Sequence, residues 1–223
     1  MPDHVVWSHS ALKDFENCPR KYHQTRVLKL HPFEETEAIR YGNELHKAAE
    51  LYVAEGKPLP PQFEFVKPTI DALVAKPGRK LAEQKMALTI DLKPTDWFAK
   101  DVWVRGIADL LILDDDNFTA WVVDYKTGNN KYPDRDQLKL MSLMVFANYP
   151  HIRKVNSALL FVVKEDMVKV KMYVEQFDTG WQEYRERVAK IEACVANDVW
   201  NPTQNPLCGW CPCTGCEFNK KRK

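Results

Sequence analysis

The sequence predicts a mixed α/β fold, in which a central mixed sheet is flanked by helices. Three observations predict it. Apolar residues recur every three to four positions from Glu37 to Glu55 and again from Asp134 to Asn148, the period of a helix with one buried face. Between these stretches, Val102 to Leu113 and Thr119 to Lys126 are dense in Val, Ile, Leu and Trp, the composition of buried strands. The order of elements is helices, a three-stranded meander, a helix, two strands and a last helix, which suits a sheet with helices on its flanks.

Taken along the chain, SHSALKDFENCPRKYHQTRV sets Leu12, Phe15 and Tyr22 at helical spacing, with Ser8 or Ser10 available as the cap. It predicts a short helix broken near Pro19. The next helix carries Ile39, Tyr41, Leu45, Ala48, Ala49 and Tyr52 on its apolar face and ends at Gly56 and Pro58. The stretch from Pro58 to Pro77 is rich in proline, with room for a further short helix over Phe65 to Val74. The first strand is read over Glu83 to Asp91, and the acidic turn Asp114 to Asn117 joins the second strand to the third as a hairpin. Leu138, Met141 and Val145 give the following helix its buried side. SALLFVVKE and VKVKMYVEQF read as another pair of strands, and Trp181 to Val199 as a long final helix in which Cys194 packs near Ile191. No internal repeat or low-complexity block interrupts this order.

A chain of 223 residues, 45% of them hydrophobic, can bury one sizeable core. Residues 1–223 are therefore read as a single domain: 1–80 mainly helical, 81–176 the sheet core, and 177–223 a helix with a cysteine-rich tail. The net charge of +1, from 32 basic and 31 acidic residues, gives no general argument for a polyanionic partner, so any such surface must be a local patch. MPDHVVWSHS lacks the basic start and apolar run of a secretory signal, and no window approaches the roughly 20 apolar residues of a membrane span. The expectation is an intracellular, cytoplasmic protein. Four of the six cysteines fall between Cys208 and Cys216, a crowding that fits metal or cluster ligation better than a disulfide framework.

The chemistry is concentrated in WVVDYKTG, where a hydrophobic strand ends in Asp124 and Lys126. Alternate residues of a strand face the same side, so a carboxylate and an ammonium project together. Such a pair can hold a divalent cation and steady a nearby anion, as phosphodiester hydrolysis requires. On the preceding strand Asp109 sits among apolar neighbours, where its charge needs a partner. Glu83, at the start of the first strand, and His46, close to the apolar face of the helix YGNELHKAAE, could converge on the same cation. Taken alone, Asp-Tyr-Lys is more often a surface ion pair. The coincidence of Asp109 with Asp124 and Lys126 on adjacent apolar strands, with His46 upstream, argues for a site.

The tail, NPLCGWCPCTGCEF, spaces Cys208, Cys211 and Cys216 so that three thiolates can bind one inorganic centre, and Cys213 adds the option of a local four-cysteine zinc site. The terminal KKRK, Lys220 to Lys223, reads as a solvated basic tail without a specific role.

Together these residues make the chain resemble the RecB-like branch of the PD-(D/E)XK nucleases over nearly its whole length. The resemblance is carried by Ser10, Leu12, Phe15, Cys18, Pro19, Lys21 and Tyr22, by Gly42 with His46, by Gly106 with Asp109, by Asp124 to Lys126, and by Gln137. It implies a restriction-endonuclease-like core and metal-dependent hydrolysis of DNA. In that family His46, Asp109 and Asp124 correspond to ligands of Mg2+ or Mn2+, Lys126 assists the nucleophile, and Gln137 contacts the site or the DNA. Glu83 joins the catalytic set. A tyrosine often follows that glutamine by four residues; here Met141 stands in its place. The resemblance further implies a 4Fe-4S cluster held by Cys18, Cys208, Cys211 and Cys216, with zinc as the alternative. It points to exonuclease action on single-stranded or frayed DNA ends in recombination, repair or replication, with protein partners from those processes, in cells or in a viral host.

Two other readings share parts of the pattern. A non-catalytic DNA-binding module stabilised by its tail would depend on Trp210, Lys220 and Lys221 more than on Asp124. A CRISPR spacer-acquisition nuclease would share the same residues and differ in its partners.

Overall fold

The computed structural model describes residues 4–219; Lys220 to Lys223, and with them the basic tail, lie outside the described residues, as do the first three of the opening segment. In chain order the helices are α1 (His9–Asn17), α2 (Pro19–Tyr22), α3 (Glu37–Glu55), α4 (Lys67–Val74), α5 (Arg135–Asn148) and α6 (Phe177–Asn197). The strands are β1 (Arg79–Thr89), β2 (Val102–Asp114), β3 (Thr119–Lys126), β4 (Lys154–Phe161) and β5 (Asp166–Tyr173). The chain divides into two compact units: Glu35–Trp181, and a discontinuous one made of Met1–Glu34 with Gln182–Lys223.

In the discontinuous unit, Ser8 caps α1 by accepting from the Ala11 N–H at 3.3 Å. Cys18 is extended, and Pro19 opens α2 at a position where its missing N–H costs nothing, so the break falls where the sequence places it. Trp7 stacks on Tyr184, and Arg187 holds Glu16 at 2.7 Å.

In the unit Glu35–Trp181, Thr36 caps α3 and Gly56 ends it in the left-handed region at φ 67°. The sheet runs in the order β1-β2-β3-β4-β5, with β3 and β4 parallel and the other neighbours antiparallel. A parallel pair needs a crossover, and α5 supplies it. Its residues Leu138 to Ala147 are nearly all buried apart from Lys139. A second apolar cluster joins Leu45 and Ala49 of α3, Phe63, and Ile70 and Leu73 of α4 to Leu110, Ile112, Val123, Tyr125 and Leu160 of the sheet. Each of the Leu, Ile, Val and Phe side chains contributes about 1.5–3 kcal/mol on burial.

Several boundaries differ from the periodicity. β1 begins at Arg79, so Glu83 lies inside the strand and not at its start. Arg79 to Ala82 lack an apolar alternation and are drawn into the sheet by pairing with Leu113 to Leu110 of buried β2. Gly78 turns the chain into this pairing at φ 104°, with no room for a side chain: a Cβ would lie 2.2 Å from the Leu113 carbonyl oxygen. β4 spans Lys154–Phe161, earlier than SALLFVVKE, because Val162 to Glu165 form the turn into β5, with Glu165 left-handed at φ 51°. α6 starts at Phe177, four residues before Trp181.

Candidate active site

The antiparallel ladder between β2 and β3 runs from Asp114↔Thr119 to Leu110↔Val123 and ends there. One residue further on each strand stand Asp109 and Asp124. On β1, the pairs Ala82↔Leu110 and Gln84↔Ala108 bracket Glu83, which is level with Asp109. Strand register thus brings three carboxyl-bearing residues into one row across β1, β2 and β3. Beyond the row β3 continues beside β4 as far as Lys126↔Phe161. Hence β2 and β3 part at the carboxylates.

Parting leaves the Tyr125 backbone without a ladder partner on the β2 side, and buried backbone groups need one. The Tyr125 N–H donates to Asp109 Oδ2 at 2.6 Å, and the Tyr125 carbonyl lies 3.0 Å from His46 Nε2. The other ring nitrogen, Nδ1, is 3.2 Å from Asp109 Oδ1. A doubly protonated ring satisfies both contacts. Burial alone would lower the His46 pKa, but Asp109, with Asp124 and Glu83 behind it, outweighs burial and raises it. α3 delivers His46 here because its neighbours Leu45 and Ala49 pack on the sheet.

Asp124 is only 6% exposed. Burial pushes its carboxyl up to about 6, with Asp109 adding to the rise and Lys126 opposing it. Lys126 Nζ lies 2.6 Å from Asp124 Oδ2, and the Gln137 amide, on the first turn of α5, donates to Asp124 Oδ1. Glu83 adopts a left-handed backbone at φ 49°, a strained choice for a glutamate inside a strand. Burial and then the Asp109 charge raise its pKa.

All six active-site residues read from the sequence therefore lie in the unit Glu35–Trp181. His46, Glu83 and Asp109 place ligand atoms within 4.8 Å of one another, while Asp124, Lys126 and Gln137 form a connected set beside Asp109. Carboxylates outnumber the imidazole, a donor set that fits a hard divalent cation such as Mg2+ or Mn2+. Three carboxyl groups crowded together also fit it: burial, and after it the Asp109 charge, raises Asp124 and Glu83, and a bound cation would offset both. Sequence reasoning missed Tyr125, whose part is played by its backbone and so leaves no mark on residue type.

The model of the PD-(D/E)XK nuclease superfamily matches residues 6–217. The chain belongs to the PD-(D/E)XK nuclease superfamily. The mixed sheet flanked by helices is the restriction-endonuclease-like fold of that superfamily. Among solved structures, a protein from Eubacterium rectale provisionally described as an exonuclease is similar over 97% of this chain and 87% of its own, with 14% identity and a TM-score of 0.52. A structure described as SSO0001 aligns over 97% of this chain and 90% of its own, with 14% identity and a TM-score of 0.44. No curated protein matches the sequence. No helix among the described residues is long and apolar enough to cross a membrane.

This PD-(D/E)XK chain has a second cluster of chemistry in its discontinuous unit. Cys18, Cys208, Cys211, Cys213 and Cys216 all line one cavity of about 170 Å3, and all are free thiols. Thr203 N–H donates to Cys18 Sγ at 3.4 Å and Asn205 N–H to Cys208 Sγ at 3.3 Å. The Asn205 side chain donates to the Asn17 carbonyl, and Asn219 ties the carbonyls of Cys211 and Cys213 together from within the tail. Cys194 does not line this cavity. Trp210 is 76% exposed.

Proposed function

We propose that this protein is a metal-dependent DNA exonuclease of the RecB-like type, acting on single-stranded or frayed ends in recombination, repair or replication. The observation that carries the reading is the row of Glu83, Asp109 and Asp124 at the parting of β2 and β3, with Lys126 beside it. His46, Glu83, Asp109 and Asp124 would hold Mg2+ or Mn2+. The cation's contribution when bound is to activate water and to neutralise charge on the phosphodiester.

The chain's own residues do the rest. Gln137 fixes one oxygen of Asp124 and Lys126 the other, so the carboxylate is oriented before any ligand arrives. Lys126, 34% exposed at its side chain, offers its ammonium to the oxygen that gains negative charge during cleavage. Tyr125 locks Asp109 by its N–H, and Asp109 with the Tyr125 carbonyl sets the His46 ring.

The cysteines carry a separate part of the reading: a 4Fe-4S cluster on Cys18, Cys208, Cys211 and Cys216, with a structural role. Their convergence on one cavity supports it.

The test is digestion of end-labelled single-stranded and duplex DNA by anaerobically purified protein, with and without Mn2+, beside Asp124→Ala. Shortening that requires the metal, stops with EDTA and is lost in the variant is expected. Binding without cleavage, in protein whose inorganic centre is intact, would overturn the reading in favour of a DNA-binding module.

A further inference from the structure

The unit Glu35–Trp181 has a second concave surface that the active-site row does not use. On one face of the sheet, register aligns Trp121, Asn156 and Lys171 in one row and Val123, Ala158 and Lys169 in the next. α4 walls this face, and the hollow between them measures about 660 Å3. Lys76, Lys154, Lys169 and Lys171 line it, and no acidic residue does. None of these four ammonium groups has a carboxylate partner among the described residues; Lys76 instead lies 5.4 Å above the Trp121 ring.

Lysines on an edge strand commonly guard it against pairing with another sheet, and β5 is an edge. That guard accounts for Lys169 and Lys171. It does not account for Lys154 on interior β4, Lys76 beside α4, or Trp121 on β3, all turned into the same hollow. A smaller hollow of about 400 Å3 lies against β5 and α5 and shares Lys171; Arg135 and Lys139 stand in its wall beside Asp136, so the uncompensated cationic band is that of the α4 face.

We propose that this band is a track for single-stranded nucleic acid, which binds phosphates through Lys76, Lys154, Lys169 and Lys171 and offers Trp121 for a base to stack on. The inference rests on the nuclease reading for its substrate. Four uncompensated cations in a chain of net charge +1 are a local demand for a polyanion. Lys169 and Lys171 are about 6.7 Å apart along their strand, on the scale of successive phosphates in an extended single strand. A stacking indole needs an unpaired base, which selects single strands over duplex. The track would hold the strand away from the scissile bond and so favour long substrates.

The experiment compares full-length wild type with Lys169→Glu/Lys171→Glu, both exposed positions, and with Trp121→Phe, which keeps the packing. Binding of a long fluorescent single strand is followed by anisotropy in EDTA over a salt series, and cleavage in Mn2+ is followed on that strand and on one of a few nucleotides. The lysine variant is expected to bind about tenfold more weakly at low salt, with a log–log salt slope shallower by about 1.4. It should cleave the short substrate at the wild-type rate and the long one more slowly. An unchanged slope overturns the track, as does a variant that loses affinity only for an acidic peptide, which would make the surface a protein-docking site. Wild type that binds with the expected slope yet cleaves nothing would strike the nuclease reading and leave the track standing.

Discussion

At the scale of the residue, Asp124 carries the most weight, because it is buried, paired by Lys126 and Gln137, and still held up to about 6. Asp124→Ala or Lys126→Ala should lower cleavage at least about a hundredfold while circular dichroism stays that of wild type; a variant with near-normal turnover would remove these residues from the chemistry. The raised pKa values also fix a pH dependence. Between 3.8 and about 6 the folded protein keeps a proton on Asp124 that the unfolded chain has released, so this group stabilises the metal-free fold at low pH, and the stability is lost as pH rises. His46, also raised, acts in the same direction, its contribution lost as pH climbs through its folded pKa. A cation competes with both protons and must bind more tightly as pH rises. Thermal melts in EDTA and in Mn2+ should therefore diverge between pH 5 and pH 7.5, and an equal gap at both would contradict the assignment of these ligands. Asp109, Asp124 and Lys126 were legible in the sequence because they are the polar exceptions in apolar strands. The left-handed Glu83 and the backbone of Tyr125 were not, since residue type does not encode either.

At the scale of the element, β2, β3 and α5 were readable because burial on one or both faces writes itself into composition. β1 and β4 were read with shifted ends, since their polar first residues enter the sheet through a partner's hydrogen bonds and not through their own side chains. The same dependence makes the entry to β1 fragile. Gly78→Ala would set a Cβ 2.2 Å from the Leu113 carbonyl oxygen at a φ of 104°, and should destabilise the fold by about 1–3 kcal/mol. Denaturant unfolding would measure it; no change in midpoint would mean that the Arg79↔Leu113 end of the ladder bears no load. Because Glu83 hangs from this strand, a loss of Mn2+ affinity should accompany the loss of stability.

At the scale of the whole molecule, the cysteines join segments far apart in sequence. Local periodicity says nothing of such a union, and only the family resemblance paired Cys18 with the tail. Closing so long a loop restricts the unfolded chain, so a centre on Cys18 should stabilise the protein out of proportion to its size. Cys18→Ser is expected to lose iron and its visible absorption, and to lower the melting temperature by several degrees; one zinc and no iron per chain in wild type would assign the cysteines to zinc instead. The discontinuity of this unit has a further consequence during synthesis. Met1–Glu34 emerges first but belongs with Gln182–Lys223, so at a ribosome's pace of about 5–20 residues per second it waits roughly 7–30 s for its complement. The unit Glu35–Trp181 can meanwhile collapse on its own contacts. Maturation is thus ordered in time: the unit that carries Asp109 and Asp124 can form while the chain is still being made, and Cys18 meets the cysteines of its own unit only once they have followed.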